Sequence, residues 1–522
     1  MNDFLQSLKF PRINRSLFHA TIGSAVSGLL LTAANPNVDC AYLAWFALVP
    51  WLLCLDGAST SRLRAAFVSG VVFAVVYNVG LTYWVGVCAL RILGPARTAL
   101  GWSLLILSQA LFFSIWAIGS EWLYRRGNRV STLIGIPALW VVVVEWLRQL
   151  GPMGLTWGDL AYTQHSVLPV LQVTKITGTW GLSYLIVAAN VAIADAVRHR
   201  RFTKSLALTA TVVVAAFVWG TSTMRGAALH PRLTAAILQA DIDPNVEHDR
   251  GYVTHVMQTF SGLTDEAAAR GATLTVWPEM AYPGYIPFNP GLRDMLTAQA
   301  VRRKVDMVIA GPDYNWARRR NLNSLFLITD KGIVAGSYHK RHLVPFGEYV
   351  PAADHIPAMN AFHVTKANML TGASVQTLMP AGQFGNIGSA ICFESSFPEL
   401  MREQTERGAN LLVVTTDDSW FDKTSEIRQH AAMSAVRAVE NDRYVLRAAT
   451  TGVSQVIDPT GRVVGEGPID EEAVIVAQVE PRATVTPYVR WGDWFVAVCG
   501  TLLIAIAAVE ARRIRSKDLR SK

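Results

Sequence analysis

A chain of 522 residues with 51% hydrophobic and only 16% charged residues is not one ordinary soluble domain, in which about a quarter of residues are charged. Its net charge of +8 does not point to nucleic acid, because many basic residues fall in short clusters between apolar blocks and no basic stripe interleaved with aromatics occurs elsewhere. The composition requires that part of the chain lies in lipid.

In chain order, apolar segments occur near 16–35, 41–56, 65–90, 98–123, 131–149, 167–197 and 203–225, with an eighth at 491–511. Each is long enough, or nearly so, to span a bilayer. The second is short and the sixth contains Lys175, which makes either a candidate for a tilted or partly interfacial segment. Basic residues mark every second connection: Lys9, Arg12 and Arg15, then Arg62 and Arg64, then Arg125, Arg126 and Arg129. Arg198, Arg200, Arg201 and Lys204 follow the sixth segment, and Arg512, Arg513, Arg515, Lys517, Arg520 and Lys522 follow the last. Under the positive-inside rule both termini are cytoplasmic, and the region between segments seven and eight is on the outer face. Arg91 and Arg97, on an outer loop, run against that rule. A cleaved leader ending near Ala33 and Ala34 is the alternative for the first segment and leaves the remaining topology unchanged. The expected division is a transmembrane domain of about seven helices (1–228), an extracytoplasmic domain (229–485), and a final helix with a basic cytoplasmic tail (486–522).

The middle region alternates strand-like and helical patterns. Strand-like runs are Leu233–Gln239, Thr273–Trp277, Val305–Ala310, Leu325–Thr329, Ile387–Cys392, Leu411–Thr415, Tyr444–Ala449 and Ala473–Val479, with helical stretches near 397–408 and 425–441. This is an α/β plan with a largely buried sheet. No Gly-x-Gly-x-x-Gly opens a helix after the first strand, which argues against a dinucleotide fold. Chemistry in open α/β sheets collects at strand ends, and Glu279, Lys340 and Cys392 all sit there.

Taken singly, each has a bland reading as loop, surface or core residue. Together they supply a base, a cation for a developing oxyanion and a thiol. Cys40, Cys54, Cys88 and Cys499 lie in or beside apolar blocks, so Cys392 has no disulfide partner in its own domain. His339 and His342 sit among basic residues without a His/carboxylate ligand set at helical spacing, so neither a metal nor a cofactor is expected.

Trp-Pro-Glu at 277–279, Lys340 with its sequel Leu343–Pro351 (LVPFGEYVP), and Cys-Phe-Glu at 392–394 resemble the Glu-Lys-Cys set of the nitrilase superfamily. With seven spans before this domain and one after, the chain is similar to the apolipoprotein N-acyltransferases. The strings Gly154–Gln164, Thr177–Tyr184, Asp418–Phe421 and Gln429–Val453 extend that resemblance over nearly the whole chain.

It implies a multi-pass α-helical membrane protein of about eight transmembrane helices with an inserted α/β nitrilase-like αββα sandwich, monomeric, in a bacterial inner membrane. It also implies Cys392 as nucleophile, Glu279 as general base and Lys340 as the oxyanion's cation. Glu348 and Glu394 become supporting carboxylates, and the Phe393 N–H an oxyanion donor. The implied reaction moves an acyl chain from a phospholipid, through a thioester, to the N-terminal amine of a diacylglyceryl lipoprotein. Three departures bear on substrate contacts: Phe393 replaces a tyrosine, His248 a tryptophan, and Asp417-Asp418-Ser419-Trp420-Phe421 replaces Asn-Asp-Ala-Trp-Phe.

Two rival readings share the fold: a membrane-tethered amidase that hydrolyses a carbon–nitrogen bond, and a non-enzymatic scaffold. Lipid-spanning segments favour a lipid substrate over the first, and the intact Glu279, Lys340 and Cys392 count against the second. The connection around Pro351–Gly372 is expected to close over the site. Loops at Tyr282–Phe288 and Met359–Phe362 are expected either to dip toward headgroups or to pack as ordinary loops.

Overall fold

The computed structural model describes residues 15–520 apart from 37, 56–61, 127, 152, 228, 243–250, 354 and 363–368. His248 lies outside the described residues.

The N-terminal part is a bundle of α1 (Arg15–Ala34), α2 (Val49–Leu55), α3 (Arg62–Leu93), α4 (Pro95–Arg126), α5 (Arg129–Gln149), α6 (Thr179–His199) and α7 (Lys204–Gly226). These sequences are apolar on most faces, and a helix is the form that satisfies its own backbone in lipid. Among the described residues, seven helices including the C-terminal one are long and apolar enough to cross a membrane, and Ala41–Leu55 is a shorter apolar stretch.

That stretch, a 3₁₀ turn (Ala41–Trp45) followed by α2, nevertheless connects the two ends of the bundle. Its start is held by Gln164, which donates from Nε2 to the Ala41 carbonyl at 2.8 Å, and the neighbouring Tyr162 touches the globular domain at Arg437. Near its end the Leu52 carbonyl accepts from Arg198, in the last turn of α6 and far from the α6 N-terminus that meets the globular domain at Glu440.

The sixth segment differs from expectation. α6 begins only at Thr179, and the preceding residues form two short helical pieces, Leu168–Leu171 and Thr174–Thr177. Gly178 breaks the chain between them and α6 at φ +64°, packed so closely on Tyr488 that a Cβ would lie 2.6 Å from its ring. Lys175 is therefore outside the span, where its ammonium pairs with Asp442 at 2.8 Å. In α5 the segment Trp140–Trp146 is a π-helix, the widened turn that often marks inserted function. Within it Glu145 is buried and accepts from Trp140 Nε1 (3.0 Å) and the Leu160 N–H (2.9 Å).

The globular domain is two six-stranded sheets, ordered β12-β1-β2-β3-β4-β5 and β11-β10-β9-β8-β7-β6. In the first sheet β1 (Leu233–Gln239), β2 (Leu274–Val276) and β3 (Asp306–Asn315) are parallel, and β4 (Arg320–Ile328) and β5 (Val334–His339) continue it antiparallel. In the second, β7 (Asn386–Ile391), β8 (Leu411–Thr416) and β9 (Val445–Ala449) are parallel, flanked by β6 (Met379–Pro380), β10 (Gln455–Ile457) and β11 (Val463–Glu466). β12 (Ala473–Val479) returns to pair with β1. The sheets face each other across a core that includes Ile237, Val276, Val308, Leu325, Ile387, Val413 and Leu446. Helices α8 (Tyr252–Ala269) and α9 (Pro290–Arg303) cover the first sheet, and α10 (Pro398–Glu406) and α11 (Glu426–Asn441) cover the second, giving an αββα sandwich. The chain closes with α12 (Trp494–Arg520), which packs on α5 and α6.

Apart from Arg428, every residue of α11 is buried, which on a sandwich's outer helix is not ordinarily the case. The reason is its second neighbour. Ala435 and Ala438 face the sheet, whereas Met433, Val436 and Val439 belong to the same apolar cluster as Trp51, Phe73, Trp140 and Leu160 of the bundle.

Candidate active site

The parallel strands β2, β7 and β8 end at one edge of the sandwich, and β5 ends there too. This common edge gathers Glu279, Cys392, Asp417 and Lys340 from segments far apart in sequence. Glu279, 7% exposed, accepts at Oε1 from Asn323 Nδ2 (2.7 Å) and Lys340 Nζ (3.3 Å), and at Oε2 from the Asp417 N–H (2.9 Å). Lys340, 1% exposed, also donates to Glu348 Oε1 at 2.9 Å. Glu348 is fixed in turn by the Val344 N–H (2.8 Å) and Asn323 Nδ2 (3.3 Å). Burial works against the Lys340 ammonium, but the charges of Glu279 and Glu348 more than offset it and hold it protonated well above the ordinary lysine range.

Cys392 follows β7 directly and adopts φ +53°, a left-handed conformation that a non-glycine residue holds only when its surroundings enforce it. Glu394 is the main enforcer. Fully buried, it accepts from the N–H groups of Arg341 (2.6 Å), His342 (3.0 Å) and Ile391 (2.8 Å), and from the Tyr338 hydroxyl (3.0 Å). One carboxylate thus ties the loop after Lys340 to the turn that carries the thiol.

Burial first, then the charge of Glu279, push that thiol well above its ordinary value, while Lys340 and a hydrogen bond with Thr416 oppose them. The resting group is a thiol, and a thiolate forms only as its proton moves to a base. Such an arrangement suits attack on a carbonyl beside a fixed cation.

Several residues of the site were not singled out in the sequence. Asn323 bridges Glu279 and Glu348, and His430 Nε2 lies 3.0 Å from the Cys392 carbonyl and 2.7 Å from Ser395 Oγ. His430 spaced four residues from Glu426 on α11 was a readable signal. With Asp418 they form a buried cluster whose ligand atoms lie within 4.8 Å of one another. The positive charge there comes from Arg447, which donates to Asp418 Oδ2 at 2.8 Å and lies 3.3 Å from His430 Nδ1.

The bundle reaches the site through aromatic rings. Trp157 stacks on Phe393 (centroids 6.1 Å, 15°), packs on Trp84 (5.2 Å), and donates to Gln429 Oε1 at 2.7 Å. Trp84 meets Phe421 edge-on at 5.2 Å, and beside it Arg91 pairs with Asp422 at 2.6 Å. Arg91, one of the two basic residues that run against the charge rule, is thus a bridge to the globular domain. Of the loops, Tyr282 and Ile286 turn into the outer core while Phe288 stays 46% exposed, and Pro357–Phe362 forms a 3₁₀ turn.

A sandwich with this edge, continuous with a membrane bundle, defines a membrane-borne member of the carbon–nitrogen hydrolase class. The carbon–nitrogen hydrolase profile matches residues 234–488, and the profile of the apolipoprotein N-acyltransferase N-terminal domain matches 27–192. An apolipoprotein N-acyltransferase of Geobacter metallireducens is 33% identical over 94% of this chain and 95% of its own length. That of Gloeobacter violaceus is 30% identical over 91% of each. Among solved structures, Saccharomyces cerevisiae Nit3, of the nitrilase superfamily, aligns with 48% of this chain and 92% of its own at 20% identity and TM-score 0.39. The chain belongs to the apolipoprotein N-acyltransferase family, and is an acyltransferase of the membrane.

Proposed function

We propose that the protein takes an acyl chain from a phospholipid, with the sn-1 ester of phosphatidylethanolamine as donor, and passes it to the N-terminal amine of a diacylglyceryl-cysteine lipoprotein. The observation that carries this reading is the joint placement of the buried Glu279–Lys340 pair, braced by Glu348, and a strained Cys392 against the bundle's aromatic rim. Glu279 accepts the thiol proton as Cys392 Sγ attacks the ester carbonyl. Lys340 and the backbone N–H of Phe393 stabilise the oxyanion, and Glu348 and Glu394 hold Lys340 and the Cys392 turn in place.

Collapse releases lysophospholipid, protonated from Glu279, and leaves a thioester. The acceptor amine then attacks the thioester, giving an amide and regenerating the thiol, a ping-pong sequence. Both substrates keep their acyl chains in lipid, avoiding about 0.8 kcal/mol per exposed methylene. The basic clusters at Arg125 and Arg198 lie at the bundle's far end, which supports an outward-facing catalytic domain with cytoplasmic termini. The functional divisions are 1–228, 229–485 and 486–522, acting as a monomer.

The test is intact mass spectrometry of detergent-solubilised protein after incubation with phosphatidylethanolamine, comparing wild type with Cys392→Ala. The expected result is an acyl-sized adduct in wild type only, released by hydroxylamine and discharged onto a diacylglyceryl peptide. Folded wild type that yields neither adduct nor lysophospholipid refutes the donor; release of acyl groups to water alone favours a hydrolase.

A further inference from the structure

Beside Lys340 and Glu348 the fold leaves a cavity of about 290 Å³ whose lining includes Arg320, Arg341, His342, Leu343, Tyr349 and Met369. One wall is hung from the site itself. The Met369 N–H donates to the Glu348 carbonyl at 2.9 Å, Leu370 N–H to the Asn321 carbonyl at 2.8 Å, and Gly372 N–H to the Lys340 carbonyl at 2.8 Å. The cavity is therefore an annex of the edge that carries Glu279 and Lys340.

Its charged lining is entirely basic, with no carboxylate among the lining residues. Arg341 is already engaged, with Nη2 2.9 Å from Glu403 Oε2. His342 is stacked against Phe397 with centroids 3.8 Å apart, and burial, then the Lys340 charge, lower it to about 4, so its ring is neutral at pH 7. Arg320, half-buried at the start of β4, has no side-chain partner among the described residues. A half-buried guanidinium with no counter-charge among the described residues can take up an anion through charge-assisted hydrogen bonds.

Both substrates of the reaction proposed above carry acylated glycerol, but only the donor carries a phosphodiester. We infer that this cavity binds the phosphodiester of the donor phospholipid, with Arg320 as its main charge partner, so that a single site distinguishes donor from acceptor. The inference rests on the acyl-transfer reading. Leu343, Tyr349 and Met369 offer the apolar wall for the adjoining glycerol. When the lysophospholipid departs it takes the phosphate with it, and the acceptor, which has none, gains nothing from Arg320. The cavity thus favours the first half-reaction only.

The test follows thioester formation in the full-length protein with two donors: phosphatidylethanolamine, and p-nitrophenyl palmitate, an ester without phosphate. Arg320→Gln should raise KM for phosphatidylethanolamine about tenfold. The limiting rate and the p-nitrophenyl reaction should be unchanged, and Arg320→Lys should restore part of the affinity. Equal loss with both donors, or no change with either, overturns the inference. Competition by inorganic phosphate at concentrations comparable to the lipid's, lost in Arg320→Gln, overturns it in favour of a free-phosphate site. Wild type that acylates with neither donor refutes instead the acyl-transfer reading, an outcome visible before any Arg320 variant is compared.

Discussion

Asp417 stands where the related motif has asparagine, and its environment turns that difference into a pH-dependent stability. Burial first, and the neighbouring Glu279 charge against the hydrogen bonds from Ser419, raise its carboxyl from 3.8 to about 7. Unfolded, the group ionises near its ordinary value; folded, it stays protonated about three units longer. The folded state binds more protons across that window, so stability is fully present below about pH 4, falls as pH rises, and levels off above about 7.

At about 1.4 kcal/mol per unit the loss is at most about 4 kcal/mol. Asn in Asp417→Asn keeps an oxygen for the Ser419 N–H and hydroxyl, at 3.2 and 2.5 Å, but does not titrate. Thermal unfolding in detergent should give nearly equal midpoints for variant and wild type at pH 4.5. At pH 8 the variant should melt about 5–10 °C higher. Midpoints that stay parallel across that range refute the assignment of a raised carboxyl to Asp417.

Glu279→Gln should slow thioester formation by about 10²–10⁴-fold, read by quenched intact mass, and a rate within a few-fold of wild type removes Glu279 from the role of base. Glu394→Ala strands the N–H groups of Arg341, His342 and Ile391 at about 1–3 kcal/mol each, so the melting midpoint should fall steeply and little thioester should form; an unchanged midpoint contradicts the clamp. Arg91→Ala removes an ion pair whose side chains are 54% and 53% exposed, and should change stability by less than about 1 kcal/mol in the same melts, a larger effect marking the bridge to Asp422 as structural.

The strands Leu233–Gln239 and Ala473–Val479 were legible in the sequence because both are apolar runs bounded by polar residues, and the structure pairs them along their full length. β10 and β11 were not: Gln455–Ile457 is only three residues, and Val463–Glu466 is an edge strand with exposed valines and no alternating pattern. Glu279, Lys340 and Cys392 were readable because strand ends concentrate chemistry and their neighbours form recognisable strings. Asn323 was invisible because nothing in a β4 sequence distinguishes an asparagine that bridges two carboxylates from one that faces water. The start of α6 was misjudged because Leu168–Ile176 is apolar enough to pass for membrane, and only Lys175 hinted at a partner outside it. The strings Gly154–Gln164 and Thr177–Tyr184 carried resemblance without a physical role until the fold placed Trp157 against Phe393 and Thr179 against Glu440.

Why a sandwich of this type should be fused to a bundle follows from α11. On a free-standing sandwich its outer face would meet water, yet here that face bears Met433, Val436 and Val439, each buried and each worth about 1.5–3 kcal/mol in transfer from water. Among them Arg437 and Glu440 pair at 3.0 Å with no exposure, a combination that is stable only when its remaining donors and acceptors find partners. The bundle supplies two of them, the Tyr162 hydroxyl for Arg437 at 3.2 Å and the Thr179 N–H for Glu440 at 3.1 Å, while Arg437 Nη1 has no hydrogen-bond partner among the described residues. His430 lies on the same helix and touches the Cys392 carbonyl, so the geometry of the thiol turn is set jointly by the sheet and by the membrane helices. The bundle therefore does more than hold the domain at the lipid surface, because without it the helix that backs the thiol loses the packing of Met433, Val436 and Val439.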